Sequence, residues 1–321
     1  MEEYGKAIRP FLINSKIISR SCSTPLERRI VDFSADAPFH QVADKLKEHY
    51  GFTLSSDIIR KITMNHAAKV SLFLETTKVT DDRTKAEYLI AEADGGMVPI
   101  VEIKENPLVK DKRKTKKLLW KEARLCFARD TTKATAIFRA TLNSVDALGD
   151  MWFSSALEAG MGNSTKIHCL GDGALWIKDQ VDRIFGNYGS YLVDFYHVSE
   201  YLGEASTYCN TEDPIEWFKK QQTNLKKGDL YLVLQELEKH INQENPTEVK
   251  DSVLKAYRYL TNRLHQLDYL GAITNNLPIG SGEIESGHRH VVQKRMKRAG
   301  AWWKETNAEH MLQLLTLLRG A

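Results

Sequence analysis

The spacing of apolar residues changes period several times along the chain, and each change predicts an element. The stretch up to Pro38 is poorly periodic and stays unassigned. From there Phe39, Val42, Ala43, Leu46 and His49 fall at helical spacing, and Tyr50-Gly51 closes that helix. Ser55 or Ser56 caps a second helix over Asp57 to His66, with Ile58, Ile59 and Ile62 facing inward. The pair reads either as a helix-turn-helix offering Arg60, Lys61, Thr63 and Asn65 to a DNA groove, or as a plain helical hairpin.

The period then shortens. Tyr88 to Ala93 (YLIAEA) and Val98 to Ile103 are apolar runs on either side of Asp94-Gly95-Gly96, which predicts a β-hairpin with its turn at the glycines. A further strand is expected over Glu122 to Ala128, then a helix from Val145 to Gly160. Lys166 to Leu170 (KIHCL) reads as a buried strand running into Gly171-Asp172-Gly173, followed by a helix from Ala174 to Phe185 and a strand from Ser190 to Phe195. Strands separated by crossover helices make a mixed α/β sheet. From Val198 to about Leu270 the chain is helical and charged, including Leu230 to Asn242 and Val253 to Leu267. Asn275 to Pro278 and Gly280-Ser281-Gly282 break it. A helix over Glu283 to Arg298 follows, and Thr306-x-x-Glu309 caps a last one over Met311 to Leu318.

Composition narrows the class only a little. The 321 residues suffice for two or three domains, and 42% hydrophobic with 27% charged residues is ordinary for a globular protein. Lys and Arg number 45 against 42 Asp and Glu, so net charge (+3) does not by itself mark a nucleic-acid binder. Cys22, Cys126, Cys169 and Cys209 form no Cys-x-x-Cys pair, which argues against zinc fingers and disulfide frameworks. The first twenty residues lack a signal peptide's pattern, and no apolar run approaches the roughly 18 residues that span a bilayer. A cytoplasmic, nucleoid-associated protein with no membrane partner is expected.

Three acids stand out by position. Asp94 ends an apolar strand, Asp172 follows a buried strand between two glycines, and Glu285 lies in the first turn of a helix after a flexible loop. Strand ends of this kind are where open α/β sheets bind ligands. Two strand carboxylates and one helix carboxylate could converge on a pair of Mg²⁺ ions, the chemistry phosphodiester cleavage needs. Each acid also has an ordinary reading: a turn former, an N-cap, or a charge at a helix start. Glu283 rivals Glu285, since the two point about 200° apart on a helix and only one can face a common ion. Two basic groups could neutralise phosphates. One is Lys112, Arg113, Lys114, Lys116 and Lys117, next to Trp120. The other is Arg289, Lys294, Arg295, Lys297 and Arg298, with His288, on the late helix. Trp302-Trp303 reads as core packing or as a base-stacking pair.

Three segments carry a resemblance. LGDGALWI at Leu170 to Ile177, LVDFYHVSEYL at Leu192 to Leu202, and IGSGEIESGHRHVVQKRMKRAGAWW at Ile279 to Trp303 are similar to bacterial insertion-sequence transposases. They resemble the Mutator-like DDE group, and in it the ISKra-type branch. The resemblance implies an RNase-H-like catalytic core interrupted by a helical insertion. On that basis the chain divides into a helical N-terminal region (1–80), the first part of the core (81–198), the insertion (199–274) and helices completing the core (275–321). It also implies that Asp94, Asp172 and Glu285 hold Mg²⁺ or Mn²⁺, with two ions expected. Asp194 and His197 match the group's Asp-x-x-His signature, though they could equally form a hydrogen-bonded strand-to-helix corner. The implied activity is metal-dependent cleavage and strand transfer of DNA at an element's terminal repeats, by a homo-oligomer. Alternatives are a related metal-dependent nuclease and a transposase-derived DNA-binding protein without activity.

Overall fold

The computed structural model describes residues 22–76, 85–103, 115–241 and 247–319. By internal packing the chain forms two compact units. One comprises residues 1–78, 97–122 and 289–321, the other 79–96 and 123–288. The division at 288/289 falls inside the region read from sequence as a single C-terminal piece.

The described residues begin with three helices. α1 (Thr24–Asp36) has Pro25 in its first turn, where the missing N–H costs nothing, so part of the unassigned stretch is helical. α2 (Phe39–Tyr50) stops at Gly51, whose φ of 71° is the left-handed C-terminal conformation glycine adopts freely. α3 (Ser56–Thr76) starts with Ser55 Oγ accepting the Ile58 N–H at 3.3 Å and runs ten residues past the expected end. Ile30, Val42, Leu46 and Ile59 form the centre of their core, flanked by Leu26, Phe33, Phe39 and Phe52. Thr63 belongs to this interior. Its hydroxyl, fully buried, donates to Ser34 Oγ at 2.9 Å, so it is not among the residues offered to a groove.

The sheet comes next, as β1 (Tyr88–Ile103), β2 (Lys116–Asp130) and β3 (Ile137–Thr141). The expected hairpin at Asp94-Gly95-Gly96 is absent: β1 runs straight through these residues. The glycines serve a different purpose. A Cβ on Gly96 would lie 3.0 Å from Cε1 of His288, so the strand admits that ring only because the residue has no side chain. α4 (Val145–Ala159) is capped by Ser144 and ended by Gly160 (φ 112°), the glycine end being the one its pattern predicts. β4 (Lys166–Gly171), α5 (Leu175–Phe185) and β5 (Gly189–Val193) follow. The strand order is β3-β2-β1-β4-β5. The β2–β3 pair is antiparallel and both β1–β4 and β4–β5 are parallel, which makes the mixed α/β sheet the pattern implied. Trp152 of α4 is fully buried, and its indole N–H donates to the Phe127 carbonyl at 2.9 Å, locking helix to sheet.

After β5 the chain is helical: α6 (Phe195–Cys209), α7 (Pro214–Lys226), α8 (Leu230–Ile241), α9 (Thr247–Thr261) and the short α10 (Tyr269–Thr274). α6 packs on α7 and α9, and α8 on α9. The late helix expected over Glu283 to Arg298 is divided into α11 (Gly282–Gly287), a π-helical turn (His288–Gln293) and α12 (Lys294–Met296). α13 (Glu305–Arg319) starts before the expected Thr306 cap and packs against α3 and α1. Among the described residues, no helix is long and apolar enough to cross a membrane.

Candidate active site

The parallel register brings two of the singled-out acids to matching positions just past the paired stretch of β1 and β4. β1 pairs with β4 from Tyr88↔Lys166 to Glu92↔Leu170, and Asp94 and Asp172 each lie two residues beyond the last pair. β5 pairs with β4 as far as Gly171↔Val193, and Asp194 is the next residue. Asp172 is exposed, and its Oδ1 accepts the Ala174 N–H at 2.8 Å. The turn beneath it is held from outside. The Tyr259 hydroxyl donates to the Asp172 carbonyl at 2.7 Å, Arg263 donates to the Gly173 carbonyl at 2.8 and 3.3 Å, and Tyr191 Oη accepts the Gly173 N–H at 3.1 Å. Burial pushes the phenols of Tyr191 and Tyr259 above the ordinary tyrosine range, so both stay protonated.

Asp94 is half-buried. Its Oδ1 accepts the Gly95 N–H at 2.7 Å, and its Oδ2 lies 3.4 Å from Nε2 of the buried His288. That separation is an ion-pair distance, yet among the described residues Nε2 makes no hydrogen bond. One turn earlier, the Ile284 N–H donates to Oε2 of Glu92 at 2.8 Å. The segment carrying Glu285 is therefore hydrogen-bonded to β1 at Ile284 and in contact with it at His288, on either side of that residue. Glu285 itself is exposed and has no ion pair among the described residues, whereas Glu283 is gripped by Arg129, whose Nε reaches both carboxylate oxygens at 2.7 and 2.9 Å. The contrast separates the two rivals: Glu283 is committed to the fold and Glu285 is available.

Glu92 is a site residue that sequence reading missed. It is 1% exposed and lines an open cleft of about 580 Å³ with Asp194, Tyr196, Ile279, Glu283 and Glu285. Burial drives its carboxyl from 4.5 up to about 8. The charges of Glu283 and Asp194 add to the rise, while the Ile284 N–H and Arg129 oppose it. A glutamate inside the apolar run YLIAEA was the available signal, since a strand buried on both faces has no solvent side for it.

Asp194 is buried and fully engaged. Its Oδ1 caps α6 through the N–H groups of Tyr196 (2.6 Å) and His197 (3.0 Å), and its Oδ2 accepts both the N–H and the hydroxyl of Ser281 at 2.5 Å. His197 packs its ring against Tyr201 and Tyr259 and lies 3.4 Å from Glu200. The pair forms the strand-to-helix corner and anchors the loop before α11. Among the described residues, no three His, Cys, Asp or Glu side chains are grouped so as to hold a metal ion. The expected convergence of Asp94, Asp172 and Glu285 is therefore not assembled here. Asp94 is drawn to His288, Asp172 closes its own turn, and neither lines the cleft that Glu285 faces.

The basic residues divide by environment. Lys112, Arg113 and Lys114 lie outside the described residues. Lys116, Lys117, Arg289 and Lys297 are exposed, and Lys294 pairs with Asp36 at 2.9 Å. Arg298 donates to the Asp36 carbonyl. Arg295 leaves the exposed row expected of it. It is 3% exposed, its guanidinium lies over the rings of Phe39 and Trp303, and its Nε donates to the Ser34 carbonyl at 2.7 Å. Trp303 is buried and donates to the Met296 carbonyl, while Trp302 meets the 56%-exposed Trp120 edge-to-face at 6.2 Å.

Comparison with known proteins places this arrangement among relatives of unassigned activity. A family model described as an uncharacterised protein family, UPF0236, matches residues 14–319. A curated relative, the "UPF0236 protein in vanSb 3'region" of Streptococcus gallolyticus, is 30% identical over 141 residues. That match covers 43% of this chain and 30% of the relative, so the aligned part spans under a third of the relative's length.

Proposed function

The chain belongs to UPF0236, an uncharacterised protein family, and from that premise we propose that it is a DDE-type transposase, cutting and joining DNA by metal-dependent phosphoryl transfer on an RNase-H-like core. One observation carries the reading. Asp94 and Asp172 sit at matching positions just past the paired part of β1 and β4, and the segment bearing Glu285 is hydrogen-bonded to β1 at Ile284 and in contact with it at His288. Two strand acids and one helix acid thus belong to the region where the β1–β4 pairing stops, at the carboxyl end of β4, and strand ends of that kind are where open α/β sheets bind ligands. The succession of strands, crossover helices and an inserted helical segment between β5 and α11 suits the same fold.

The chemistry of the donor set suits a hard divalent cation, because all three groups are carboxylates and two of them, Asp172 and Glu285, face solvent, although among the described residues they are not gathered about one point. Asp94, Asp172 and Glu285 would hold one or two Mg²⁺ or Mn²⁺ ions, which supply Lewis-acid activation and neutralise charge on a phosphodiester. The rest falls to the chain's own residues. Arg129 keeps Glu283 out of competition with Glu285, and the Gly95 N–H orients the Asp94 carboxylate, with the His288 ring beside it. Exposed Lys116, Lys117, Arg289 and Lys297 are available to neutralise DNA phosphates without reading sequence. Joining two element ends to a target requires them to be held together, so the working form is a homo-oligomer on DNA.

A second reading, a DNA-binding protein without chemistry, draws on the absence of an assembled metal-holding group among the described residues. Both are tested by incubating purified protein with a supercoiled plasmid carrying its gene and flanking DNA, in Mg²⁺ or Mn²⁺, beside Asp172→Asn. Metal-dependent breakage at the element ends with joined products, lost in the variant, is the expected result. Breakage without joining indicates a nuclease. Binding by both proteins with cutting by neither indicates the second reading.

A further inference from the structure

We infer that Tyr259 and Arg263, contributed by the helical segment between β5 and α11, are positioning residues for Asp172. The inference rests on the reading of Asp172 as a metal ligand and extends it to how the inserted helices serve the chemistry.

Asp172 projects from a tight turn between a buried strand and α5, and its own side chain contributes one bond to that turn, to the Ala174 N–H. Nearly everything else that fixes the turn arrives from elsewhere. The carbonyl of Asp172 takes the Tyr259 hydroxyl from 87 residues away, and the carbonyl of Gly173 takes two guanidinium N–H groups of Arg263 from 90 residues away. Tyr191 of β5 holds the Gly173 N–H, and the Asp194 N–H holds the Gly171 carbonyl at 2.8 Å. The approach is close enough to dictate sequence. Gly173 has φ +89°, and a Cβ there would lie 2.2 Å from Tyr259 Oη.

The brace is rigid in turn. The Tyr259 ring stacks on Tyr201 of α6 with centroids 4.1 Å apart and planes 19° apart. The Arg263 guanidinium lies 3.9 Å from the Tyr259 centroid, and His197 meets the same ring at 5.9 Å. His197 and Tyr201 stand on the helix that Asp194 caps, so α6 and α9 jointly fix the donor that fixes the turn. Gly173 is buried and its carbonyl needs a protein partner in any case, but Asp172 is an exposed residue and its carbonyl is held by Tyr259 all the same. A carboxylate that must meet an ion at a set distance needs such a clamp. Outer-shell partners that orient a ligand typically govern metal affinity by about 10–100-fold.

The test is calorimetric titration of the full chain with MnCl₂, with the thermal midpoint followed in parallel. Tyr259→Phe keeps the ring stack and removes only the hydroxyl. We expect it to weaken Mn²⁺ binding by about tenfold or more while its thermal midpoint stays close to wild type. Arg263→Ala is expected to weaken binding similarly, with Arg263→Lys, which keeps a donor, recovering part of the loss. Asp172→Asn is expected to abolish it. Wild-type affinity in both Tyr259→Phe and Arg263→Ala, alongside loss in Asp172→Asn, would overturn the brace and leave the metal reading standing. Absence of Mn²⁺ binding by wild type, or undiminished binding by Asp172→Asn, would overturn both. Should Tyr259→Phe fail to fold, the Arg263 pair decides.

Discussion

Replacing Glu92 by glutamine should remove the pH dependence that this residue imposes on the fold. Glu92 is 1% exposed and its Oε2 accepts the Ile284 N–H, an interaction that the amide oxygen of glutamine reproduces. Its carboxyl is raised from 4.5 to about 8, chiefly by burial. The folded chain therefore keeps this proton between those values, while the unfolded chain has already released it. A raised folded-state value contributes stability that is complete below 4.5 and is lost as pH climbs towards 8. The interval from 4.5 to about 8 at ~1.4 kcal/mol per pH unit amounts to on the order of 5 kcal/mol. Wild type and Glu92→Gln should thus be similarly stable near pH 4.5, and the variant should gain steadily up to pH 8 and hold its lead above it. Urea unfolding in EDTA across pH 5 to 8.5, followed by tryptophan fluorescence, reads the difference directly. Parallel stability curves would refute the argument, since they would mean that Glu92 is already ionised in the folded chain.

Three further outcomes follow from the same geometry. Gly96→Ala puts a methyl 3.0 Å from the buried His288 ring and should cost about 1–3 kcal/mol in urea unfolding, from overpacking. Arg129→Met leaves Glu283 unneutralised near Glu92 and should cost about 1–3 kcal/mol, most of it recovered when Glu283→Gln is added. Burial holds the His168 imidazole below its ordinary 6.5, against the opposing bond to the Pro278 carbonyl. Stability present above that pH is therefore lost as pH falls, and His168→Asn should flatten this acid limb, opposite in slope to the Glu92 effect.

The parallel half of the sheet was legible because it rests on short-range signals. The KIHCL run, the Gly-Asp-Gly turn, the amphipathic α5 and the SYLV strand are each local, and each lies within a residue or two of its observed bounds. The misreadings share a tertiary cause. Gly95-Gly96 imitates a turn, yet the strand continues because His288, nearly 200 residues away, needs the space at Gly96. β3 was missed: five residues with Arg139 at their centre carry little strand signal, and the strand is defined by pairing with β2. α1 was missed because its apolar side is packed by α3 and α13, contacts that the helix's own sequence does not encode.

The site divides in the same way. The position of Asp172 followed from the end of β4, whereas Asp94, read as a strand end, lies inside β1, and the π-helical turn that brings His288 to it left no mark in the pattern. The choice between Glu283 and Glu285 became physical once Arg129 was seen to hold the former. Arg295, one cation in a basic run by sequence, is a buried cation between two aromatic rings, which only packing could reveal. Tyr259 and Arg263 carry no motif at all, since their partners are backbone carbonyls reached across the fold.

The most direct test of the central claim is a crystal structure of the full chain grown with MnCl₂, with the metal located by its anomalous scattering. The account predicts an anomalous peak with carboxylate oxygens of Asp172 and of Asp94 or Glu285 at about 2.1 Å. A peak lodged instead among Glu92, Asp194 and Glu283, or no protein-bound peak at millimolar Mn²⁺, would contradict it.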